Sequence, residues 1–371
     1  MSDTCRVLRS TITADGSVRI TIVDEPMPTP GPDEVVVAVE AAPINPSDLG
    51  MLTAGADPAT FERSADGALV GRLSEASVAA NAARLDTPMP VGNEGAGTVV
   101  AAGSADGAQA LLGRTVAGVS GSMYATHTKL SHAMCIPVPD GVSAADAASS
   151  FVNPLTALGM TDTMRLEGHT ALLHTAAASN LGQMLNRLCQ ADGIALVNVV
   201  RRDEQAELLR SQGATHVVVS SADSFEDDLT AALTETGATI AFDAIGGGTQ
   251  VDTILACMER ACSAGAQFSR YGSDTHKQVY IYGGLDRSPT PLKRTYGMSW
   301  GVGGWLLTPF LGRVGFERMG ELRDRVAAEI TTTFASSYAE TISLDAVLDP
   351  ATARAYAAQA TGEKRLVTPS T

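Results

Sequence analysis

The sequence predicts an α/β fold in which a doubly wound parallel sheet is joined to a separate, β-rich domain. Residues 1–142 consist largely of short apolar runs separated by proline and glycine, which is typical of β structure. From residue 143 onward, helical patterns alternate with short apolar strands, as expected for a parallel sheet with helical crossovers. The chain of 371 residues is also longer than one ordinary core supports, so two domains are expected.

The β-rich region contains two stretches of similar character. Residues 18–39 read as short strands separated by prolines, with an apolar β run at 35–39, and residues 92–139 repeat this pattern. Between them, residues 57–84 are rich in alanine and carry mixed charges, and their last part, 74–84, predicts a surface helix. We interpret this stretch as an insertion near the mouth of a cleft.

The second region predicts a series of buried strands separated by helices. Helices are predicted at 203–212 and 224–235. Residues 295–312 are uncharged but contain several glycines and a proline, which favours a buried strand and turn lining a cleft over a membrane span. The predicted strands of this region are 170–173, 194–200, 216–219, 239–242 and 278–282.

The end of the chain predicts a return to the first domain. An amphipathic helix at 317–329 leads to a short strand and then to a final segment at 362–367. The predicted domains are therefore 1–153, 154–305 and a returning segment, 306–371.

Composition excludes several classes of partner. The net charge is −15 and no run is rich in lysine or arginine, so nucleic-acid binding is not expected. The five cysteines are scattered without a C-x-x-C pair, which argues against a disulfide framework and fits a reducing cytoplasm. Residues 1–6 lack the apolar core of a signal peptide. We expect a cytoplasmic protein that acts on a small molecule, without a membrane partner.

The strand–turn–helix segment that begins at residue 171 is the strongest functional signal. The three glycine positions of a dinucleotide-binding turn, G-x-G-x-x-G, hold Ala177, Ser179 and Gly182, and all three residues are small. A helix that begins near Asn180 and Leu181 would present unpaired N–H groups to a pyrophosphate. Corners between helices and strands that bind no ligand use similar residues, so the turn alone leaves that alternative open.

The second strand of this unit ends in two arginines. Arg201 lies nineteen positions after Gly182, where a site for NAD usually carries an acidic residue. A guanidinium suits the 2′-phosphate of NADPH, so Arg201 and its neighbour Arg202 predict NADPH as the cofactor. The alternative is that both arginines lie at a solvated strand end, where Asp203 and Glu204 would take up their charge.

Six motifs follow one another along the chain. They are Asn-Pro-Ser-Asp at 45–48, Gly-Asn-Glu-Gly-Ala-Gly at 92–97, Val-Asn-Pro-Leu-Thr-Ala at 152–157, the small-residue turn, Asn-Val-Val-Arg at 198–201 and Tyr-Gly-Gly at 282–284. By these motifs and their order, the chain resembles the medium-chain dehydrogenase/reductase superfamily, most closely the zinc-free branch of quinone oxidoreductases and 2-enoyl thioester reductases. The resemblance implies a GroES-like catalytic domain joined to a Rossmann dinucleotide-binding domain, and a homodimer formed through the edge of the parallel sheet.

The resemblance also implies that no catalytic metal is bound. Zinc alcohol dehydrogenases of the superfamily have cysteine and histidine where this chain has Asn45 and Asn93, and a neutral amide is a poor zinc ligand. The six histidines show no metal-ligand spacing. Without a metal, hydride transfer is easiest onto a quinone or a conjugated double bond, whose negative charge is delocalised.

Catalytic residues are assigned by resemblance and position. Asn45 is expected near the nicotinamide or the substrate oxygen, and Asp48 either lines the cleft or only fixes its loop. Residues 50–55 lack the tyrosine that donates a proton in the enoyl reductases, so Tyr124 is the substitute candidate. The alternative for Tyr124 is an aromatic side chain packed at the cleft wall.

Further contacts with the cofactor are expected from three other segments. Asn153 and Thr156 would contact the nicotinamide face. Trp300 and Trp305 either wall the substrate pocket or pack in the core. Residues that follow two later strands, at the edge where a dinucleotide lies, are Ile245, Tyr282, Gly283 and Gly284.

The sequence therefore predicts an NADPH-dependent, zinc-independent oxidoreductase that reduces a quinone or an activated C=C bond in an enone or enoyl thioester. Two alternatives remain open. One is a zinc-free alcohol or aldehyde dehydrogenase. The other is a catalytically silent protein that binds NADPH as a sensor, which the missing tyrosine would favour.

Overall fold

A computed structural model describes residues 3–358, 362 and 364–370. The chain divides into two compact units. The first unit contains the residues up to Val152 and those from Arg323 onward, and the second is Asn153–Leu322. The second boundary therefore lies later than the predicted 305/306.

The chain begins with antiparallel strands that form two sheets of the first unit. In the smaller sheet the strand order is β4-β5-β2-β1-β6. In the larger sheet β3 pairs with both β7 and β9. On the β7 side the sheet continues, because β7 pairs with β8 and β8 pairs with β10. The strands are β1 (Thr4–Thr13), β2 (Ser17–Pro26), β3 (Glu34–Pro43), β4 (Glu62–Arg63), β5 (Leu69–Arg72), β6 (Met89–Pro90), β7 (Glu94–Ala102), β8 (Thr115–Val119), β9 (His127–Ser131) and β10 (Cys135–Pro137); the helices are α1 (Pro46–Leu52), α2 (Glu75–Ala80), α3 (Asp106–Gln109) and α4 (Ala144–Ala147).

The stretch 57–84 is part of the smaller sheet. β4 and β5 form a short hairpin, and β5 pairs with β2 from Ser17↔Arg72 to Ile20↔Leu69. Buried Phe61 packs against Gly71, where a Cβ atom would lie 2.5 Å from its ring. Only α2 and a 3₁₀ turn correspond to the predicted surface helix. The interpretation of this stretch as an insertion at a cleft mouth is thus replaced by a strand pair that extends the sheet.

The second unit is built on a parallel sheet with the strand order β13-β12-β11-β14-β15-β16. The order reverses direction between β11 and β14, which makes that point the switch of a doubly wound fold. This confirms the predicted fold class. The elements are α5 (Val152–Leu166), β11 (Ala171–His174), α6 (Asn180–Asp192), β12 (Ala195–Val200), α7 (Asp203–Ser211), β13 (His216–Val219), α8 (Phe225–Thr236), β14 (Ile240–Asp243), α9 (Gln250–Ser263), β15 (Lys277–Ile281), β16 (Trp300–Gly304) and α10 (Leu307–Ala328).

The uncharged segment 295–312 forms the edge strand β16 and the start of α10. α10 is kinked at Gly315, which has φ 80°. Arg318 in α10 lies shortly before the end of the second unit at Leu322. Its guanidinium makes two short hydrogen bonds to the buried carboxylate of Asp162 in α5, at 2.8 and 2.9 Å. This pairing keeps the first part of α10 in the second unit. In the described part of the chain, no helix has the length and apolar character needed to cross a bilayer.

The chain then returns to the first unit, as β17 (Glu340–Ser343), α11 (Pro350–Ala357) and β18 (Arg365–Thr368). β18 is antiparallel to the end of β3 and parallel to β17, so it completes the larger sheet. Val35, Val37 and Val39 of β3 are buried in the core of this unit together with Val367 of β18. Both ends of the chain therefore contribute to one core.

Candidate cofactor and active site

The turn between β11 and α6 has the geometry of a close-packed binding corner. Ser179 is the N-cap of α6, and its hydroxyl accepts the N–H of Gly182 at 3.1 Å. A Cβ atom on Gly182 would lie 2.1 Å from the carbonyl oxygen of Ala177, so only glycine fits there. The positive φ of the turn falls on Ala176 (49°), and neither Ala177 nor Ser179 needs one. Alanine and serine can therefore replace glycine at the first two positions.

The two arginines lie at the same edge of the sheet as this turn. β12 is parallel to β11 and in register from Ala171↔Ala195 to His174↔Asn198, so Arg201 and Arg202 follow the carboxyl end of the neighbouring strand. Both side chains are exposed, and the structure describes no ion pair between either of them and Asp203 or Glu204. Within the described residues, neither guanidinium is held in an ion pair, so both remain available to a ligand at this edge.

A buried carboxylate joins this turn to the one that follows β14. Asp243 is fully buried and accepts the hydroxyl of Thr175 at 2.6 Å and the N–H groups of Ile245 and Gly246 at 3.2 and 2.8 Å. Since β11 and β14 flank the switch point, Asp243 fixes the two turns where a dinucleotide would lie. Ile245 follows the carboxyl end of β14, so it lies at the edge of the sheet where the sequence analysis expected the cofactor.

The turn after β15 reaches the same edge. Gly283 packs so closely on the carbonyl oxygen of Ala244 that a Cβ atom would lie 2.6 Å from it, and Gly284 is exposed. The hydroxyl of Tyr282 lies 2.7 Å from Nε2 of His174, the last residue of β11. Sequence reasoning did not identify His174. The sequence does contain a signal for His174, because it is a polar residue that ends an apolar strand directly before the predicted binding turn.

The remaining residues predicted for the cofactor lie in the first turns of α5. Asn153 is partly exposed and Thr156 is buried. Their contact with the nicotinamide stays a prediction.

The first unit holds a buried polar cluster around the start of α1. Asn45 is the N-cap of α1 and Asp48 is its third residue. One carboxylate oxygen of Asp48 accepts the backbone N–H of Asn45 at 2.8 Å, and the other accepts that of Asn93 at 2.7 Å. Burial raises the pKa of Asp48 to about 7, although these two hydrogen bonds favour its ionised form. The geometry supports a role for Asp48 in fixing the loop.

Glu94 orients the side chain of Asn45. Glu94 is fully buried, and its carboxylate accepts Nδ2 of Asn45 at 2.8 Å and the backbone N–H groups of Phe151 and Val152 at 3.0 and 2.7 Å. Burial raises its pKa, while the charge of Lys364 opposes that shift. The amide oxygen of Asn45 is buried and has no hydrogen-bond partner. The sequence analysis placed Glu94 in a motif and Lys364 in the final segment but assigned neither residue a role in the site.

The structure supports the packing alternative for Tyr124. Its side chain is fully buried in the core of the first unit, and its hydroxyl donates to the carbonyl oxygen of Pro43 at 3.0 Å. Gly92, with φ 97°, lies against its backbone, where a Cβ atom would be 2.6 Å from the nitrogen of Tyr124. Burial and the nearby carboxylate of Asp48 raise the pKa of the phenol. A role for Tyr124 as a proton donor stays a prediction.

The two tryptophans pack within the second unit. Trp300 meets Tyr296 edge-on with ring centroids 5.0 Å apart. Trp305 contacts Phe242 and Phe310, and its indole N–H donates to Thr163 at 3.0 Å. These contacts match the packing alternative for both residues.

Comparisons with known proteins agree with this arrangement. A model of the zinc-binding dehydrogenase family matches residues 181–276, and a model of the alcohol dehydrogenase GroES-like domain matches residues 31–140. A crystal structure from Mesorhizobium loti, assigned as an NADPH:quinone reductase, aligns with 100% of this chain and 99% of its own at a TM-score of 0.75 and 25% identity. The chain belongs to the medium-chain dehydrogenase/reductase superfamily. It falls in the branch of quinone and enoyl reductase-like proteins.

The relatives found by sequence comparison align with this chain over only part of their own length. A mitochondrial enoyl-[acyl-carrier-protein] reductase from Xenopus tropicalis is 31% identical over 51% of this chain and 49% of its own, and prostaglandin reductase-3 from mouse is 25% identical over 60% and 52%. The chain thus spans about half the length of the curated relatives it matches. A structure from Bacillus thuringiensis, at 20% identity and a TM-score of 0.74, covers 99% of this chain and 100% of its own and supports the fold.

Neither of the two asparagines offers the thiolate or imidazole that a zinc ion prefers. At position 45 the amide nitrogen of asparagine donates to Glu94, and at position 93 the asparagine amide donates to Ser47 at 3.1 Å. An amide can reach a metal only through its oxygen, which is a poor zinc ligand beside thiolate or imidazole. Within the residues that the structure describes, no group of three or more His, Cys, Asp or Glu side chains could hold a metal ion.

Proposed function

We propose that this chain is an NADPH-dependent oxidoreductase that reduces a quinone or an activated C=C bond without a catalytic zinc ion. One observation carries the proposal. Residues 177–182 and the exposed Arg201 and Arg202 lie at one edge of the parallel sheet, next to its switch point. Dinucleotides bind at such a point in doubly wound folds. The names of the M. loti and X. tropicalis relatives support the same class of reaction.

The residues at this edge fit NADPH. The first turn of α6 offers backbone N–H groups to the pyrophosphate, since helix N-termini lack intrahelical acceptors for them. The glycine at position 182 lets the helix approach the turn closely. Arg201 and Arg202 offer charge-assisted hydrogen bonds to the 2′-phosphate. When bound, NADPH supplies the hydride. A solved mycobacterial relative, 21% identical, was crystallised as a complex with NADPH.

The arrangement favours a quinone over an enoyl thioester as the acceptor. After hydride addition a reduced quinone carries its charge on oxygen, which water can protonate, whereas an enoyl thioester also needs a proton delivered to carbon. Burial of Tyr124 disfavours it as the candidate for that delivery, and residues 50–55 contain no tyrosine. In this proposal Asn45 is held by Glu94, and its contact with the bound ring stays a prediction because its side chain, like that of Tyr124, is buried.

A second candidate function follows from the same observation. With Tyr124 in the core, a catalytically silent protein that binds NADPH is also consistent with the site. It would bind the nucleotide tightly and reduce no acceptor.

A panel of quinones, enones and enoyl thioesters, followed by the loss of NADPH absorbance together with metal analysis, tests the proposal. We expect turnover with a quinone and no stoichiometric zinc. Tight NADPH binding without turnover of any acceptor would favour the silent binder, and stoichiometric zinc required for activity would contradict the metal-free mechanism.

The cofactor preference is tested by Arg201→Gln. The change removes the charge that faces the 2′-phosphate, so KM for NADPH should rise about tenfold while KM for NADH changes less than about twofold. Arg270→Gln, at another exposed position of the second unit, is the matched control and should leave both constants unchanged. A lower KM for NADH than for NADPH in the unaltered protein would contradict the assignment.

We further propose a cytoplasmic homodimer. All five cysteines are free, which supports a reducing compartment. β16 has a neighbour on one side only in the sheet order, and an unpaired strand edge is a ready site for pairing with a second copy. Sedimentation of the purified protein measures the assembly, and a monomer at micromolar concentration would contradict it.

A further inference from the structure

A histidine–tyrosine contact bridges two strands across the one between them. His174 ends β11, Tyr282 follows β15, and β14 lies between these strands in the sheet. Nε2 of His174 lies 2.7 Å from the hydroxyl of Tyr282, and the two rings stack with centroids 5.7 Å apart and an angle of 21° between their planes. The contact therefore ties the ends of two non-adjacent strands at the proposed cofactor edge.

Both partners of this hydrogen bond are neutral. His174 is fully buried, and burial lowers its pKa to about 3, so the imidazole carries no charge near neutral pH. Burial raises the pKa of Tyr282, so the phenol stays protonated. Nδ1 of His174 has no hydrogen-bond partner, and a network that delivers protons would need one. The pair suits a positional role better than an acid–base role.

The hydrogen bond between His174 and Tyr282 holds the turn after β15, which is also fixed by backbone contacts with residues 243 and 244. The N–H of Tyr282 donates to the carbonyl oxygen of Asp243 at 2.9 Å, and that of Leu285 donates to Ala244 at 3.2 Å. Gly283 lies against the same residue, Ala244. These contacts fix the turn on the β14 side. The hydrogen bond from His174 adds a link to β11, whose next residues form the turn that precedes α6.

We propose that His174 is a positioning residue, which fixes Tyr282 and the two glycines after it so that the edge is preset for NADPH. The inference rests on the proposed function. A preset edge loses less conformational freedom when a ligand binds, which strengthens binding without a new contact. Because His174 is enclosed, it acts through Tyr282.

Three variants test this role: Tyr282→Phe, His174→Phe and the double variant. Each single change removes the hydrogen bond and keeps two stacked rings, so we expect Kd for NADPH to rise about fivefold to tenfold. If His174 acts through the hydroxyl of Tyr282, the double variant should match Tyr282→Phe within about twofold. The control is Tyr280→Phe, which removes a hydroxyl from β15, the strand that Tyr282 follows; that hydroxyl bonds to Glu167 at 2.9 Å. That variant should bind NADPH as the unaltered protein does.

Amide hydrogen exchange separates a positional from a merely structural role. In Tyr282→Phe we expect faster exchange at residues 283–285 than in Tyr280→Phe, at equal global stability. Equal Kd values in the Tyr282 and Tyr280 variants would overturn the inference while leaving the proposed function intact. If the unaltered, folded protein binds no NADPH, the proposed function fails and this role fails with it.

Discussion

Single residues in the first unit show how a buried charge is accommodated. Glu94 lies within the motif of residues 92–97, yet its partners come from the N-cap of α1, from the start of α5 and from the residue before β18. No sequence spacing encodes this convergence, because the partners are far apart in the chain. The sequence therefore located Asn45 as a site residue but could not show what orients it.

Replacing Glu94 by glutamine should destabilise the fold. One carboxylate oxygen becomes an N–H₂ group that faces donors from Asn45 or from the backbone, which leaves buried groups unpaired. We expect the free energy of unfolding to fall by about 2–4 kcal/mol, measured by urea unfolding. Glu40→Gln is the matched control, since exposed Glu40 accepts one hydroxyl, from Thr98, and its loss should cost less than about 0.5 kcal/mol. Equal losses in both variants would contradict this account of Glu94.

At the scale of elements, the binding turn was the most predictable part of the molecule. Small residues at three fixed positions and an arginine after the next strand are local signals, and the structure brings both to one edge of the sheet. The hairpin of β4 and β5 was not predicted, because its strands are short, and one of them is fully charged. Its place depends on pairing with β2, which is a tertiary contact.

Substitution of Gly182 by alanine tests the close approach of helix and turn. The added methyl group would lie 2.1 Å from the carbonyl oxygen of Ala177, which is backbone and cannot move aside cheaply. We expect a loss of about 1–3 kcal/mol in the free energy of unfolding, together with weaker NADPH binding. Gly320→Ala in α10 meets no atom within 4 Å and should instead stabilise by about 0.5–1 kcal/mol. A Gly182 variant that gains stability would contradict the close packing.

At the scale of the whole molecule, the sequence predicted a return of the chain to its first domain but placed the boundary too early. The missing information was the pairing of Arg318 with Asp162, two residues far apart in sequence whose contact keeps the first part of α10 with the second unit. The position of Tyr124 stayed open in the sequence for a related reason. A tyrosine in a glycine-flanked loop looks the same in a sequence whether its ring faces a cleft or a core.

The stability of the folded chain should depend on pH through several groups whose pKa burial shifts. The pKa of Asp48 is raised from 3.8 to about 7, so the folded chain retains a proton that the unfolded chain loses, and the contribution of Asp48 to the free energy of unfolding falls as pH rises through this window. Glu94, whose pKa burial also raises, contributes in the same direction, whereas His174, whose pKa is lowered to about 3, contributes in the opposite direction. The pKa of Lys364 is lowered from 10.5 to about 8, so its contribution to stability rises again between these values.

Urea unfolding at several pH values measures this dependence. Asp48→Asn should gain stability relative to the unaltered protein as pH rises from 4 to 7, and the exposed Asp223→Asn should show the pH dependence of the unaltered protein. The same pH dependence in Asp48→Asn as in the unaltered protein would contradict this account of Asp48.

The last strand of the larger sheet, β18, also dictates an order of events during synthesis. Along the chain β3 precedes the whole second unit and β18 follows it. Domains fold as they are made, from the amino end. The second unit, whose residues are continuous, can therefore fold before β18 is synthesised, and the pairing of β3 with β18 forms only afterwards.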